Sequence, residues 1–433
     1  MKKRLARASV IFAAVIFITF IGCAGQNIKP APQPPEKIEQ AEATGEGFMV
    51  GAFEMDITPS DNVWMAGFNP LRRSHGVHDP LKVNAVVIKA GDRKIAMVSA
   101  DLIGLMKPDM DGYRRQLKDF SGDLVIVAST HTHSGPDTMG MWGGIDENYR
   151  RKISDAVIQS INKALASAVP AKMLVGTGTI PVGAIKNVRQ TDMVDRRVEV
   201  MRFVSQSDGS VIATVVNFAC HPETLWKNNH LIGSDFVNYL RESLQKSGSP
   251  VVIYFNGAEG AMVTPDIKRD HKYGEVHTFA EAARIAGIML KGIQEAISAC
   301  APVNPKPVRW ARTEFLVPID NPLFKKANKL GLLKRDIYFP DMVLTETAAL
   351  RIGDVMVVTM PGEARPDIGL KVKEAAGSPH PFFLGLANDE LGYILPPEAY
   401  KDPLFTYEIS MSPGQAASSK IVEEAVKVIQ LVK

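Results

Sequence analysis

Two histidines stand one residue apart, as His131-Thr132-His133, at the end of an apolar and β-branched stretch over residues 124–130. Alternate residues of a strand point to the same face, so both rings can face one site. Active sites of α/β proteins lie beyond the carboxyl ends of strands, where such a pair can bind a metal ion and contact a substrate. Taken alone, the pattern is equally typical of a strand end with two solvated histidines.

Three further apolar stretches also run into polar residues that can do chemistry, and they end near His221, Glu363 and Tyr393. Catalytic zinc takes about three or four protein ligands from histidines and carboxylates, and it lowers the pKa of its water to about 7. Two histidines and one glutamate from separate strand ends would provide such a site. A tyrosine could ligate as well, or donate a hydrogen bond to a developing oxyanion. Each residue also has an ordinary interpretation, as a strand cap, an exposed turn or a core tyrosine.

From residue 48 onward, strand-like and helix-like patterns alternate along the chain. Hairpin turns at Gly91-Asp92 and Ser207-Asp208-Gly209 indicate antiparallel pairs, so the pattern predicts an α/β fold with a mixed β-sheet core flanked by helices. Residues 302–340 are rich in Pro and Lys, which predicts an irregular excursion over the site. The predicted strands are 82–90, 94–100, 124–130, 197–204, 211–218, 251–255, 346–352, 354–359 and 382–387, and the predicted helices are 108–120, 148–168, 236–247, 278–299 and 418–432.

The composition is that of a chain with a substantial buried core. Its 433 residues are 45% hydrophobic, which excludes a disordered or fibrous protein. No internal repeat or clean boundary follows residue 48, so we expect a single large catalytic domain over residues 48–433. The formal charge of +3 becomes −1 without the four basic residues near the amino terminus, because 46 basic residues then face 47 acidic ones. Without a basic stripe, we expect no nucleic-acid partner.

Residues 1–22 have the pattern of a signal peptide, with a basic start and an apolar run too short for a membrane span. The run ends at Gly22-Cys23, which is similar to a bacterial lipoprotein cleavage box with Cys23 as the lipidated residue. Residues 23–47 are rich in Pro, Glu, Ala and Gln, which predicts a flexible tether. We expect an exported cell-envelope lipoprotein held at a membrane surface through Cys23, or a secreted protein if Cys23 is not lipidated.

Longer motifs in the chain resemble those of the neutral/alkaline, non-lysosomal ceramidase family. The resemblance covers most of residues 48–433 and corresponds to the catalytic domain of that family. The motifs that carry it are Gly51-Ala52-Phe53-Glu54-Met55-Asp56-Ile57-Thr58-Pro59, Gly76-Val77-His78-Asp79-Pro80-Leu81, Ser99-Ala100-Asp101-Leu102, His131-Thr132-His133-Ser134-Gly135-Pro136, Asn217-Phe218-Ala219-Cys220-His221-Pro222, Pro361-Gly362-Glu363 and the Asn-Asp-x-x-Gly-Tyr stretch that ends at Tyr393.

Members of that family are zinc-dependent amidases that split ceramide into sphingosine and a fatty acid. The resemblance implies that this chain cleaves the N-acyl bond of ceramide, or of a related N-acyl lipid, through attack by a zinc-bound hydroxide. The Zn²⁺ ligands that it implies are His131, His221, Glu363 and Tyr393. The catalytic residues that it implies are His133 on the substrate side, Arg189 as a donor to a substrate oxygen, Tyr393 again, and Tyr400 with Tyr407 on the same wall.

The sequence departs from the family pattern at three positions near these motifs. Ala261 stands where the family commonly carries Asp, and Thr264-Pro265 follows one residue later than the usual Ser-Pro. Glu223, directly after His221-Pro222, adds a charge with no assigned role. The departures leave the zinc set intact and leave the substrate open.

Two other functions remain open from the sequence. One is a different metal-dependent amidohydrolase on a non-ceramide substrate. A barrel amidohydrolase would have its His-x-His on the first of eight βα units, and the hairpins here contradict that pattern. The other is a surface lipoprotein that binds lipid or glycan and has lost catalysis, against which the complete zinc set argues. The partners that we expect are a lipid-like small-molecule substrate, such as ceramide or an N-acyl amine, and a membrane surface through lipidated Cys23.

Overall fold

The computed structural model describes residues 34–60, 62–272, 274–329 and 335–433. The predicted signal peptide, the lipidation site at Cys23 and the first part of the predicted tether lie outside these residues. Across the described residues, no helix combines the length and the apolar character that a membrane span requires.

The described residues form an alternation of strands and helices. In chain order, the strands are β1 (Lys37–Glu42), β2 (Phe48–Asp56), β3 (Lys82–Ala90), β4 (Arg93–Ala100), β5 (Leu124–Ser129), β6 (Val169–Thr179), β7 (Ile185–Asn187), β8 (Arg197–Ser205), β9 (Val211–Phe218), β10 (Val252–Asn256), β11 (Val263–Pro265), β12 (Arg269–Asp270), β13 (Gly274–Glu275), β14 (Ala301–Val303), β15 (Val308–Pro318), β16 (Met342–Ile352), β17 (Val355–Thr359), β18 (Glu363–Ala364), β19 (His380–Leu384) and β20 (Tyr393–Ile394). The helices are α1 (Lys107–Gln116), α2 (Glu147–Ala166), α3 (Phe236–Lys246), α4 (Phe279–Ser298), α5 (Pro322–Lys329), α6 (Pro366–Ala376), α7 (Thr406–Ser410) and α8 (Gln415–Val432), with 3₁₀ turns at Lys118–Phe120, Pro397–Lys401 and Pro403–Phe405.

Two mixed sheets form the centre of the fold. The larger sheet has the strand order β10-β9-β8-β6-β2-β3-β4-β5, with β14 paired to β6. The smaller sheet has the order β1-β15-β16-β17-β19. Most pairs are antiparallel, but β4–β5, β9–β10 and β17–β19 are parallel. The prediction of a mixed sheet core in an α/β fold is therefore confirmed.

The two sheets pack face to face between two layers of helices. Strand β3 shows why its sequence is apolar almost throughout: Val86 and Ile88 face the other sheet, whereas Ala85 and Val87 face α2. A strand that is buried on both faces has an unbroken apolar run in place of an alternating one. Helices α1 and α2 cover one half of the larger sheet, α3 and α4 cover the other half, and α6 and α8 cover the smaller sheet.

Two predicted segments have a different structure from the one expected. Residues 37–42 of the predicted tether form β1, which pairs antiparallel with β15 along its whole length. The predicted irregular region 302–340 contains the eleven-residue strand β15, because its charged and apolar residues alternate as on a sheet with one covered face. Its second half, which contains α5, is closest to the prediction, because Phe324 and Arg335 line a cavity that His131 and Glu363 also line.

Candidate metal centre

His131 is held rigidly at the end of β5. Its backbone has φ 69°, in the left-handed region, and its N–H donates to the Leu102 carbonyl at 2.9 Å. Its Nδ1 lies 2.6 Å from the Ile103 carbonyl. A carbonyl can only accept, so Nδ1 carries the proton and Nε2 presents a lone pair, as a metal-binding histidine requires. Burial lowers the pKa of His131, which keeps the ring neutral and able to ligate.

His221 repeats this arrangement after β9. Its backbone N–H and its Nδ1 both donate to the Val263 carbonyl, each at 2.9 Å. Its Nε2 lies 2.9 Å from Oε2 of Glu363. Burial of the ring opposes protonation, but the hydrogen bond to Glu363 and the surrounding carboxylates outweigh it and raise the pKa of His221 to about 10. A field that favours a proton at Nε2 favours a metal cation at the same place.

Glu363 and Tyr393 come together through a two-stranded parallel pair, β18 and β20, in which they are register partners. Gly362 makes this approach possible, because a Cβ there would lie 2.4 Å from the Gly392 carbonyl oxygen. Burial by itself would raise the pKa of Glu363, but His131, His221 and a hydrogen bond from Tyr393 hold it below its ordinary value. Burial next to this carboxylate raises the pKa of the Tyr393 hydroxyl well above its ordinary value.

His133 lies beside this group in a different environment. Its ring centroid is 4.9 Å from that of His131 and 5.8 Å from that of His221, and Phe68 packs edge-on against it at 4.8 Å. Neither of its ring nitrogens has a hydrogen-bond partner. Burial and the neighbouring histidines hold the pKa of His133 well below its ordinary value. The ring is thus neutral, and both of its polar atoms are available to a ligand or a substrate.

These residues suit a bound metal ion. Ligating atoms of His131, His133 and His221 all lie within 4.8 Å of one another, and Oε2 of Glu363 is 3.6 Å from Nε2 of His131. Histidine nitrogens with a carboxylate oxygen form a donor set typical of zinc. The geometry offers two sets of donors: one with all three histidines, and one in which Glu363 and Tyr393 replace His133.

The remaining predicted site residues lie at different distances from the group. Arg189 donates through Nε to Oε1 of the buried Glu408 at 2.7 Å. The ring of Tyr407 packs edge-on against that of Tyr393, with the ring centroids 6.0 Å apart. The hydroxyl of Tyr400, by contrast, lies 2.6 Å from the Ser412 hydroxyl and 2.7 Å from that of Ser418. No hydrogen bond or ring contact between described residues joins Tyr400 to the histidines.

An apolar cavity opens onto His131 and Glu363. Its volume of about 50 Å³ is enough for several water molecules, each of which needs about 10–15 Å³. Met139, Met141 and Trp142, which follow the His131 segment in the chain, line this cavity. The apolar wall includes Ile103, Met106, Met139, Trp142, Phe324 and Met411.

Sequence reasoning missed the number of buried carboxylates around the site. Glu259 is fully buried with both oxygens unpartnered, and burial raises its pKa well above the ordinary value. Glu390 has one unpartnered oxygen, and Oε2 of Glu223 lies 3.7 Å from Nδ1 of His133. The only available signal was the unusual glutamate after His221-Pro222. A second acidic cluster, around Glu346, is ion-paired with Lys107, Arg114 and Arg312 and is a structural network.

Comparison with known proteins gives a family by sequence and a shared fold by structure. A family model described as neutral/alkaline non-lysosomal ceramidase, N-terminal, matches residues 48–269. Neutral ceramidase of Pseudomonas aeruginosa is 26% identical over 226 residues, which are 46% of this chain and 34% of that protein. Neutral ceramidase B of Dictyostelium discoideum is 26% identical over 273 residues, which are 54% of this chain and 38% of that protein. The matched part thus spans little more than a third of the length of these relatives.

Solved structures extend the match beyond the range of the family model. The crystal structure of neutral ceramidase from Pseudomonas aeruginosa superposes with a TM-score of 0.74 at 21% identity, covering 90% of this chain and 75% of that one. A ceramidase complexed with C2 gives the same TM-score at 20% identity, over 89% and 76%. The structural match therefore shows a shared fold over nearly the whole chain. Because the family model covers more than half of the sequence, the chain belongs to the neutral/alkaline non-lysosomal ceramidase family.

Proposed function

We propose that the protein is a zinc-dependent amidase that cleaves the N-acyl bond of ceramide, or of a related N-acyl lipid, to a fatty acid and an amine. The observation that carries the proposal is the convergence of His131 and His221 on Glu363, with both Nδ1 atoms donating to backbone carbonyls. Such outer hydrogen bonds fix the tautomer that ligates a metal. The apolar cavity at the same carboxylate suits a lipid substrate.

In this proposal, His131, His221, Glu363 and Tyr393 hold the zinc ion, which supplies Lewis-acid activation of water and of the substrate carbonyl when it is bound. His133 faces the substrate with two unpartnered ring nitrogens, so it can exchange a proton with the leaving amine or hydrogen-bond the developing oxyanion. Arg189 is oriented by its ion pair with Glu408 and supports the Tyr407 side of the site. Tyr400 has a structural role, since its hydroxyl is engaged by two serines.

The acyl chain would lie along the cavity wall formed by Met106, Met139 and Trp142. Methionine side chains are flexible and polarisable, so they adapt to chains of different length. The wall excludes bulk water from the face of Glu363 that it covers, which strengthens the electrostatic interactions there. The carbonyl would then face the histidines, and the amine half would lie toward His133.

The test is hydrolysis of N-acyl sphingosines of several chain lengths beside unrelated N-acyl amines, with metal content measured on the same protein. We expect stoichiometric zinc and a turnover of N-acyl sphingosine that a chelator abolishes. Turnover of the unrelated amides alone would keep the chemistry and refute the ceramide assignment. That second outcome would identify an amidohydrolase on a non-ceramide substrate, the alternative that the departures at Glu223 and Ala261 leave open.

We also propose that the protein is exported and held at a membrane surface through a lipid on Cys23. The support is the lipoprotein-like pattern of residues 1–23, which precedes the folded part. A Cys23→Ala variant should move from the membrane fraction to the soluble exported fraction without loss of activity in detergent. Unchanged membrane association of that variant would contradict anchoring at Cys23.

A further inference from the structure

Glu223 is the one charged side chain beside His133 that the proposed mechanism leaves unused. It is 2% exposed, its Oε1 has no partner, and its carboxylate accepts a hydrogen bond from the Thr264 hydroxyl. Nδ1 of His133 is 3.7 Å away, beyond hydrogen-bond range. A carboxyl group offers several acceptor positions, and burying them unmet costs free energy. The site therefore lacks a donor at this place.

Arg72, which bonds to the backbone of the segment after Glu223, does not provide that donor. The guanidinium of Arg72 lies over the Phe68 ring and donates to the carbonyls of Trp226, Asn229, Ala66 and His133. Its hydrogen bonds thus fasten backbone segments together. Two other buried carboxylates near the site have an arginine partner, as Glu408 has Arg189 and Asp389 has Arg335. Among the ion pairs of the described residues, Glu223 has only His133.

The two sides of the site differ in what they offer a substrate. The apolar cavity touches His131 and Glu363, whereas Phe68, Trp226 and Glu223 lie on the His133 side. A substrate with its acyl chain in the cavity and its carbonyl at the histidines extends its amine half toward Glu223. Every secondary amide carries one N–H on its amine half, and this N–H is a hydrogen-bond donor.

We propose that Glu223 is a specificity-determining residue that accepts the N–H of the scissile amide and so selects secondary amides over esters. The inference rests on the proposed function, because it assumes that the amide is bound at this site. An ester presents an oxygen where the amide presents its N–H, and two acceptors then face each other. Sites that hydrogen-bond a substrate group strongly reject the analogue that lacks it, because the buried polar atom stays unpaired.

The kinetic test compares N-butyl octanamide with butyl octanoate, which differ only in N–H against oxygen. For Glu223→Leu, we expect kcat/KM for the amide to fall about 10- to 100-fold, the usual effect of losing a charge-assisted hydrogen bond, and that for the ester to change little. Glu223→Gln keeps a carbonyl acceptor, so its kcat/KM for the amide should lie between that of the wild type and that of Glu223→Leu. Glu281→Gln removes a buried carboxylate charge on α4, outside the site, and should leave the ratio unchanged. An equal fall for amide and ester would overturn the proposal, since it would mean that Glu223 only positions His133.

A binding measurement separates this inference from the proposed function. N-butyl-N′-heptylurea and butyl N-heptylcarbamate resist hydrolysis and differ by the same replacement, so their affinity for the metal-loaded protein can be measured by calorimetry. We expect the wild type to bind the urea at least about tenfold more tightly than the carbamate. The Glu223→Leu variant should show no such preference. Equal binding to the wild type overturns the inference. A urea preference without any amide turnover would refute the proposed function and leave the assignment of Glu223 standing.

Discussion

The sharpest prediction concerns which side chains hold the metal. The structure brings together two possible donor sets, which share His131 and His221 and differ in whether His133 or Glu363 completes them. His221→Ala removes a member of both sets, whereas His133→Ala removes a member of only one. Because both ring nitrogens of His133 lack the backbone anchor that the other two histidines have, we expect His133 to lie outside the ligand set.

The expected magnitudes follow from metal linkage. Free zinc at about a thousand times its Kd stabilises the folded wild type by about 4 kcal/mol. If His221→Ala raises Kd about a thousandfold, less than about 0.5 kcal/mol remains. Loss of a group outside the ligand set typically costs about 10- to 100-fold in affinity, so His133→Ala should retain about 1.4–2.7 kcal/mol. The zinc-dependent stabilisation expected for a variant that loses a ligand therefore does not overlap with that expected for a variant that loses a neighbouring group.

The assay is denaturant unfolding of each variant with zinc and with chelator, together with the zinc content of the purified protein. His380→Ala is the matched control, because its ring bonds to the Glu199 region away from the site. It should retain the full zinc-dependent stabilisation. Loss of zinc from His133→Ala to the same extent as from His221→Ala would refute the reasoning and assign the metal to the three histidines. Full zinc retention in His221→Ala would refute the site itself.

Three further predictions test the surroundings of the site. Asp101 and Arg241 form a fully buried ion pair, so Asp101→Asn should lower the free energy of unfolding by about 3–5 kcal/mol. Adding Arg241→Met should recover part of this loss, and a loss below about 1 kcal/mol for Asp101→Asn would contradict the prediction. Burial opposes ionisation of Glu346, but Arg114 and the other nearby cations lower its pKa to about 2. The stability that the ionised Glu346 contributes should therefore be complete above pH 4.5 and be lost as pH falls toward 2. Glu346→Gln should flatten the dependence of the unfolding free energy on pH in this range, and an unchanged dependence would refute the prediction. Trp142→Ala should lower kcat/KM more for long acyl chains than for short ones in a chain-length series, and a uniform fall would argue against the cavity as the acyl site.

The class of fold was predictable because its local signals are strong. Continuous apolar runs such as residues 124–130 and helix-spaced segments such as residues 148–168 are set by buried faces, and the structure has β5 and α2 there. Residues 37–42 were predicted as tether because nothing in their local pattern requires a strand. Their place in the smaller sheet comes from pairing with β15, more than 260 residues away in the sequence. Such pairing depends on the partner and carries little local signal.

For the site, the sequence by itself determined the residue types and their attachment to strand ends: His131 and His133 after one strand, His221 after another, and Glu363 after a third. Only the tertiary structure decided their environments. The backbone carbonyls of Ile103 and Val263 orient two of the histidines, and no pattern in the chain foretells which carbonyl will face which ring. The same holds for Glu223, which is a lone charge in the sequence and an acceptor beside His133 in the fold. Residue type is local information, whereas burial, partners and pKa arise from segments that folding brings together.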